Sequence, residues 1–210
     1  MSPAKARKIE SYGARLVVGG ASWFEANKEA LALAATGPTY IHAFADPQVI
    51  AGQGTTALEL VEQMPEIDML VVAIGGGGLI AGMSLAAKAL RPGIRIVGVQ
   101  PTGAASMHDS LRAGRMVELD RVSTRVPTLA ARRTEEVNFE IVRRNVDDIV
   151  LIEDDDMDAA SRWLWREMNV AADPSGAATV AALMTGRIRP PAGARVCALV
   201  CGAGAEGTQP

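Results

Sequence analysis

Residues 71–82 decide the fold and read VVAIGGGGLIAG. The apolar, largely β-branched residues 71–74 predict a buried strand, and a helix is predicted to begin at Leu79. Between them stand four consecutive glycines, which allow positive φ and leave no side chain in the way. Backbone N–H groups in such a loop can converge on an anion at a helix N-terminus. A tight turn needs only one or two glycines, so the loop predicts a phosphate-binding site.

The same residues match a second, weaker pattern. Gly76, Gly78 and Ala81 fit the G-x-G-x-x-G/A fingerprint of dinucleotide-binding folds. Those folds also need an acidic residue at the end of the next strand to hold a ribose, and this chain has Gln100 there. The residues of the loop alone therefore leave the ligand open, with a dinucleotide-binding domain as the rival prediction.

Residues 69–87 carry no charge, which raises the question of a membrane span. Each glycine inside a helix costs roughly 1 kcal/mol relative to alanine, so residues 75–78 would break a spanning helix in its middle. We therefore expect no membrane association.

The composition predicts a soluble, globular protein. The chain has 210 residues, of which 49% are hydrophobic and 21% are charged, enough for a sizeable core. Its net charge of −3 comes from 24 acidic and 21 basic residues, so no basic surface for nucleic acid is expected. The N-terminus shows no signal sequence, and Cys197 and Cys201 do not form a disulfide pattern. These features predict a cytoplasmic protein.

Short β-rich runs alternate with amphipathic or alanine-rich runs, which predicts an α/β fold with a parallel sheet. Helices are predicted at residues 3–12, 22–35, 55–64, 79–90, 104–113, 134–144, 154–168 and 174–184, and strands at residues 14–18, 39–42, 69–74, 94–99, 148–151 and 194–201. Ser2 is expected to cap the first helix. The irregular stretch 43–52 is the predicted boundary between two domains.

Six stretches, in order along the chain, carry a family resemblance. They are SPAKARKIESYGA at residues 2–14, PQVIAGQGT at 47–55, GGGGL at 75–79, VDDIV at 146–150, DPSGA at 173–177 and VCGAG at 200–204. Together they resemble the fold-type II pyridoxal-phosphate enzymes, and among these the threonine/serine dehydratase and serine racemase branch of the tryptophan synthase β-like superfamily. The resemblance extends over nearly the whole chain.

The resemblance implies pyridoxal 5′-phosphate (PLP) as the cofactor. It implies a large domain over residues 43–210 and the remainder of a small cofactor domain over residues 1–42. In such enzymes the matching positions Gly75, Gly76, Gly77, Gly78 and Leu79 would hold the phosphate, and Cys201 would face the ring nitrogen. From the sequence alone, Cys201 is explained equally well as a small buried residue of a core strand.

The activity that the resemblance implies is that of an ammonia-lyase, which converts a small 3-hydroxy amino acid, L-threonine or L-serine, into a 2-oxo acid and ammonia. An amino-acid racemase of the same branch is the nearest alternative. A non-catalytic phosphate-ligand domain and a dinucleotide oxidoreductase are the alternatives from other classes. A homodimer is expected for the full-length protein.

The chain departs from the family pattern at the lysine that forms a Schiff base with the cofactor. In the family this lysine lies in an S-x-K-x-R-G stretch, and none of Lys5, Lys8, Lys28 and Lys88 fits it. We therefore expect a truncated chain that starts inside the small domain, contains no catalytic residue and has no turnover alone.

No metal site is expected from the sequence. Metal-binding members of the branch have cation ligands where this chain has Gln100, Ala104 and Ser106. The acidic run at residues 153–156 is explained by the macrodipole of the helix that it precedes.

Overall fold

A computed structural model describes residues 3–20, 23–204 and 208. The predicted cap Ser2 and the start of the predicted helix at Ser22 lie outside these residues, as do residues 205–207, 209 and 210. The chain divides into two compact units, residues 1–41 and residues 42–210.

The first unit contains two helices, α1 (Pro3–Ser11) and α2 (Trp23–Ala34). The two strands predicted here, at residues 14–18 and 39–42, do not form in the part of the chain that the structure describes. Val17 and Val18 are exposed by 66% and 72%. A strand needs a neighbour for its N–H and C=O groups, and the described residues of this unit contain none.

The second unit alternates helices and strands, as the sequence predicts. Its elements are α3 (Pro47–Gln63), β1 (Met69–Ala73), α4 (Gly78–Leu90), β2 (Arg95–Pro101), α5 (Ser106–Ala113), α6 (Glu136–Asn145), β3 (Asp148–Ile152), α7 (Asp154–Met168), α8 (Pro174–Met184) and β4 (Val196–Ala198), with short 3₁₀ turns at Thr102–Ala104 and Pro127–Leu129.

The four strands form one parallel sheet in the order β3-β2-β1-β4. Strand β1 is central and buried on both faces. Because side chains alternate along a strand, Val71 joins a core cluster with residues of α7 and α8, whereas Leu70 and Val72 join a second cluster with residues of α3 and α4. The predicted α/β class with a parallel sheet is confirmed.

Helix α3 begins earlier than the sequence analysis expects. The prediction treats residues 43–52 as irregular, but Asp46 caps a helix that starts at Pro47, and its Oδ1 accepts a hydrogen bond from Gln48 N at 2.7 Å. An acidic cap followed by proline is a helix start, but Gly52 and Gly54, which follow it closely, are unfavourable in a helix and hid this signal. One of them, Gly54, permits close packing, because a Cβ there would lie 3.0 Å from Gly82 O of α4.

Strand β4 is shorter than the predicted strand at residues 194–201. Leu199 N still donates to Val71 O of β1 at 3.1 Å. The carbonyl groups that follow bond to α8 and its cap instead, since Thr179 Oγ1 donates to Leu199 O at 3.0 Å and Asp173 N donates to Gly202 O at 3.1 Å.

The uncharged segment 69–87 is divided among β1, the glycine loop and α4. Within the described residues, no helix combines the length and the apolar character that crossing a membrane requires.

Candidate functional site

The glycine loop lies at the carboxyl end of β1 and leads directly into α4. Gly77 is the N-cap of α4 and has a φ of +96°, a left-handed conformation that favours glycine. Gly75, Gly76 and Leu79 are partly exposed, whereas Gly77 and Gly78 are buried. The positive end of the α4 dipole therefore meets an accessible backbone segment.

The backbone N–H groups of Gly75, Gly76, Gly77, Gly78 and Leu79 have no acceptor among the residues that the structure describes. Before the loop, Ile74 N donates to Val99 O at 2.8 Å, and regular helix bonding begins at Ala81, whose N–H donates to Gly77 O at 2.9 Å. Five consecutive donors without partners at a helix N-terminus form a suitable site for an anion.

Packing also requires glycine at several of these positions. A Cβ on Gly76 would lie 2.5 Å from the ring of Phe44, one on Gly78 would lie 2.4 Å from Phe44 O, and one on Gly75 would lie 2.6 Å from Thr128 O. From the sequence, tight packing and phosphate binding are alternative explanations of the four glycines. The structure gives the loop one face packed against Phe44 and Thr128 and a row of free donors along its backbone.

Two side chains of the α6 region hold the carbonyl of the loop. Thr134 Oγ1 donates to Gly76 O at 3.0 Å, and Asn138 Nδ2 donates to the same oxygen at 3.2 Å and to Phe44 O at 2.9 Å. Sequence reasoning missed both residues, because they lie 58 and 62 positions from Gly76 and belong to no motif.

Cys201 follows β4, the neighbour of β1 in the sheet. Because the two strands are parallel, with Leu70 paired to Cys197, Cys201 and the glycine loop lie at the same edge of the sheet. The chain runs from β1 through β2 to β3 on one side and returns to the other side of β1 as β4. This reversal of strand order is where open α/β sheets bind ligands.

The thiol of Cys201 is held in its neutral form. The residue as a whole is exposed, but its Sγ donates to Ser175 O at 4.0 Å. Burial, and secondly the negative charge of Asp173, raise the pKa of this thiol. A neutral thiol suits a partner for a neutral ring nitrogen. The alternative that Cys201 is a small buried residue of a core strand is wrong, because the residue is exposed and lies beyond the end of β4 at Ala198.

Asp173 organises the backbone beside Cys201. As the N-cap of α8, its Oδ1 accepts hydrogen bonds from Gly176 N at 2.7 Å and from Ser175 Oγ at 2.6 Å. Two glycines allow the chain to pass closely here, because a Cβ on Gly202 would lie 2.5 Å from Asp173 Oδ1 and one on Gly176 would lie 2.3 Å from Gly202 O.

The second unit contains one lysine, and it lies far from the loop. Lys88 is in the last turn of α4, ten residues beyond Gly78, which at the rise of a helix is roughly 15 Å. Its Nζ donates to Ile94 O at 2.7 Å and to Asp147 Oδ2 at 3.0 Å. The other three lysines, Lys5, Lys8 and Lys28, belong to the first unit.

The positions compared with cation ligands in the sequence analysis are neutral and bonded within the protein. Gln100 Oε1 accepts a hydrogen bond from His108 N at 3.0 Å, and Gln100 Nε2 lies 3.5 Å from Ser106 Oγ. The described part of the chain shows no group of three His, Cys, Asp or Glu side chains that could hold a metal ion. The acidic run is partly paired, with Asp154 accepting from Thr124 Oγ1 at 2.7 Å.

The chain is similar to known proteins in both sequence and fold. Residues 1–202 match the family described as pyridoxal-phosphate dependent enzyme. An L-threonine ammonia-lyase of Thermotoga maritima is 36% identical over 182 residues, which cover 86% of this chain and 45% of the relative. A serine racemase of Arabidopsis thaliana is 37% identical over 199 residues, which cover 92% of this chain and 58% of the relative.

Among solved structures, maize serine racemase superposes with a TM-score of 0.89 at 32% sequence identity, over 96% of this chain and 63% of that one. The chain therefore spans between 45% and 63% of the length of these three proteins.

Proposed function

This chain belongs to the family of pyridoxal-phosphate dependent enzymes, and we propose that its second unit binds the phosphate of PLP through the amides of Gly75, Gly76, Gly77, Gly78 and Leu79. The observation that carries the proposal is the run of five backbone donors without acceptors at the N-terminus of α4. The residues present fit a phosphate, because the donors are consecutive, partly exposed and reinforced by the helix dipole.

We propose further that Cys201 faces the ring nitrogen of the cofactor. Support comes from the position of Cys201 after β4, across the reversal of strand order from the glycine loop. Its neutral thiol places no negative charge there, so the ring nitrogen is not driven towards protonation. When bound, PLP supplies an electron sink for the bonds at the α carbon of an amino acid, while this chain supplies the grip and the orientation.

We propose ammonia-lyase activity on L-threonine or L-serine for the full-length protein. We also propose that residues 43–210 form a large domain and that residues 1–42 belong to a small one. The activity is supported by the 36% identity to an L-threonine ammonia-lyase. Amino-acid racemisation is the second candidate, because identity to a serine racemase is 37%. A homodimer and a cytoplasmic location remain predictions from the sequence analysis.

The chain alone is proposed to bind PLP without turning over an amino acid. In the second unit the one amine, that of Lys88, is bound to Ile94 O and Asp147 at the far end of α4. No lysine of this unit is therefore placed to form the covalent bond to the cofactor or to move the proton of the α carbon.

Equilibrium dialysis of the purified chain tests the binding step directly. We expect saturable PLP binding, no pyridoxyl-lysine peptide after borohydride reduction at stoichiometric PLP, and no 2-oxo acid from L-threonine or L-serine. Tight binding of a nicotinamide nucleotide with none of PLP would support the dinucleotide alternative instead.

A chimeric protein tests the activity. In it, this chain replaces the matching part of the Thermotoga maritima relative, and the relative supplies the rest. Release of a 2-oxo acid and ammonia from L-threonine supports the lyase. Interconversion of L- and D-serine without ammonia supports the racemase. PLP binding with neither reaction would leave a non-catalytic binding domain as the better description.

A further inference from the structure

Thr134 and Asn138 hold one peptide group of the glycine loop by three hydrogen bonds from the α6 region. Thr134 Oγ1 and Asn138 Nδ2 converge on Gly76 O at 3.0 Å and 3.2 Å, and Asn138 Nδ2 also donates to Phe44 O at 2.9 Å. Both side chains are buried, with 1% and 0% exposure. The carbonyl oxygen of Gly76 is therefore fixed in direction by two donors that solvent does not reach.

The direction of this carbonyl decides the direction of the next amide. In a planar trans peptide the C=O of one residue and the N–H of the following residue point in opposite directions, and the described residues contain no cis peptide bond. With Gly76 O turned towards Thr134 and Asn138, the N–H of Gly77 points away from them. The left-handed φ of Gly77 is then of the kind that brings successive amides to one side of the chain.

The amide of Asn138 uses its donor group on the loop but leaves its own oxygen unpaired. Its Oδ1 is buried and has no hydrogen-bond partner within the described residues, an arrangement that folded proteins avoid. Turning the amide over would place Oδ1 against the two carbonyl oxygens of Phe44 and Gly76, which is worse. A leucine of similar volume would fill the space without an unsatisfied polar atom but would leave Gly76 O with a single donor.

From these contacts we infer that Thr134 and Asn138 are positioning residues for phosphate recognition: they orient the Gly76–Gly77 peptide so that the Gly77 N–H faces the bound phosphate. The inference rests on the proposed function of the loop. It adds two residues to the proposed phosphate site, Thr134 just before α6 and Asn138 within it. Both would act on the phosphate through the backbone of the loop and not by direct contact.

The test measures selectivity for the phosphate group in the intact chain. Dissociation constants are measured for pyridoxine 5′-phosphate and for pyridoxine, which lack the aldehyde and so do not label surface lysines. The ratio of the two constants reports the phosphate contact, because a change in ring binding or in general stability alters both dissociation constants by the same factor.

Thr134→Val removes the hydroxyl donor at nearly constant volume, and we expect the preference for the phosphate ester to fall about fivefold, the effect of one hydrogen bond. Thr134→Ser retains the donor and should keep the wild-type ratio. Asn138→Leu provides an independent variant, for which we expect the preference for the phosphate ester to fall at least as far as for Thr134→Val.

Thr179→Val is the matched control. Thr179 is also fully buried, and its Oγ1 also donates to a carbonyl, that of Leu199 at 3.0 Å, which is not part of the glycine loop. The Thr179→Val substitution should lower the free energy of unfolding in urea, as Thr134→Val does. It should leave the ratio of the two dissociation constants unchanged.

The outcomes separate the two claims. If the wild-type chain does not prefer pyridoxine 5′-phosphate over pyridoxine, the proposed function of the loop fails. If it does, and Thr134→Val and Asn138→Leu keep that preference while folded, the positioning role is wrong and the loop binds phosphate without it. A fall in the ratio for Thr179→Val equal to that for Thr134→Val would also overturn the inference.

Discussion

Leu70 of β1 and Cys197 of β4 are register partners in two adjacent parallel strands. Gly75 follows the first of these residues by five positions and Cys201 follows the second by four, so both lie just beyond the carboxyl ends of their strands. This pairing places the glycine loop and the segment after β4 next to each other at the same edge of the sheet. A phosphate held by the loop and a ring directed towards Cys201 are therefore compatible with a single bound cofactor.

Gly77 is expected to tolerate no side chain without loss of stability. Gly77→Ala forces a residue with a Cβ into a φ of +96°, and we expect a destabilisation of about 1–2 kcal/mol. The measurement is the free energy of unfolding in urea.

Gly52→Ala is the control for that substitution. Gly52 is exposed within α3, and a Cβ there meets no atom within 4 Å, so alanine should stabilise the chain by about 0.5–1 kcal/mol. Equal destabilisation by the two substitutions would contradict the left-handed conformation of Gly77.

Asp173 is expected to stabilise the start of α8 through its cap. Asp173→Ala removes the acceptor for Gly176 N and Ser175 Oγ, and we expect a loss of about 1–2 kcal/mol. Asp173→Asn retains one oxygen and should cost clearly less. Thermal and urea unfolding of the two variants measure the difference, and equal losses would show that the capping bonds contribute little.

His42 gives the fold a dependence on acidic pH. Its Nδ1 accepts hydrogen bonds from Phe44 N at 3.2 Å and Ala45 N at 2.9 Å, which requires an unprotonated nitrogen. Desolvation lowers the pKa of His42, against the opposing charges of Glu135 and Asp46.

Because the folded pKa of His42 lies below the unfolded one, its contribution to stability is complete above about pH 6.5 and is lost as the pH falls towards the folded value. We expect His42→Asn, which offers an amide oxygen as acceptor and does not titrate, to be less sensitive to this fall. Urea unfolding at pH 8 and pH 5 measures the effect. The same loss of stability in both proteins would remove His42 as its source.

The two cysteines are expected to react slowly with alkylating agents at neutral pH. Burial raises the pKa of Cys197, and burial together with the charge of Asp173 raises that of Cys201. Since the folded pKa values are raised, the neutral thiols stabilise the fold below the ordinary thiol pKa, and this contribution is lost as the pH rises through the folded values.

Asp173→Asn separates the two thiols in the same experiment. Removing the carboxylate charge should move iodoacetamide labelling of Cys201 to lower pH and leave labelling of Cys197 unchanged, as read by peptide mass spectrometry. An equal shift at both cysteines would indicate local unfolding instead of an electrostatic effect of Asp173.

The sequence predicted most of the second unit because its signals are local. The strand and glycines at residues 71–78 and the helices at Asp154–Met168 and Pro174–Met184 were identified from hydrophobic pattern and capping residues. The predicted strand at residues 14–18 does not form. Its residue pattern favours a strand but does not reveal whether a neighbouring strand exists to pair with it.

The contacts around the loop could not be predicted from the sequence, because they join residues that are far apart along the chain. Phe44, Thr134 and Asn138 reach the glycines from elements distant along the chain. The packing of α3 and α6 against α4 brings them there, and no local pattern predicts which side chain will face a particular group of the loop.

Amide chemical shifts of the ¹⁵N-labelled chain during titration with PLP test the central claim most directly. If the loop holds the phosphate, the amides of Gly75, Gly76, Gly77, Gly78 and Leu79 should show the largest saturable shifts, and inorganic phosphate should shift the same amides at higher concentration. Saturable binding that leaves these five amides unmoved would contradict the assignment of the glycine loop as the phosphate site.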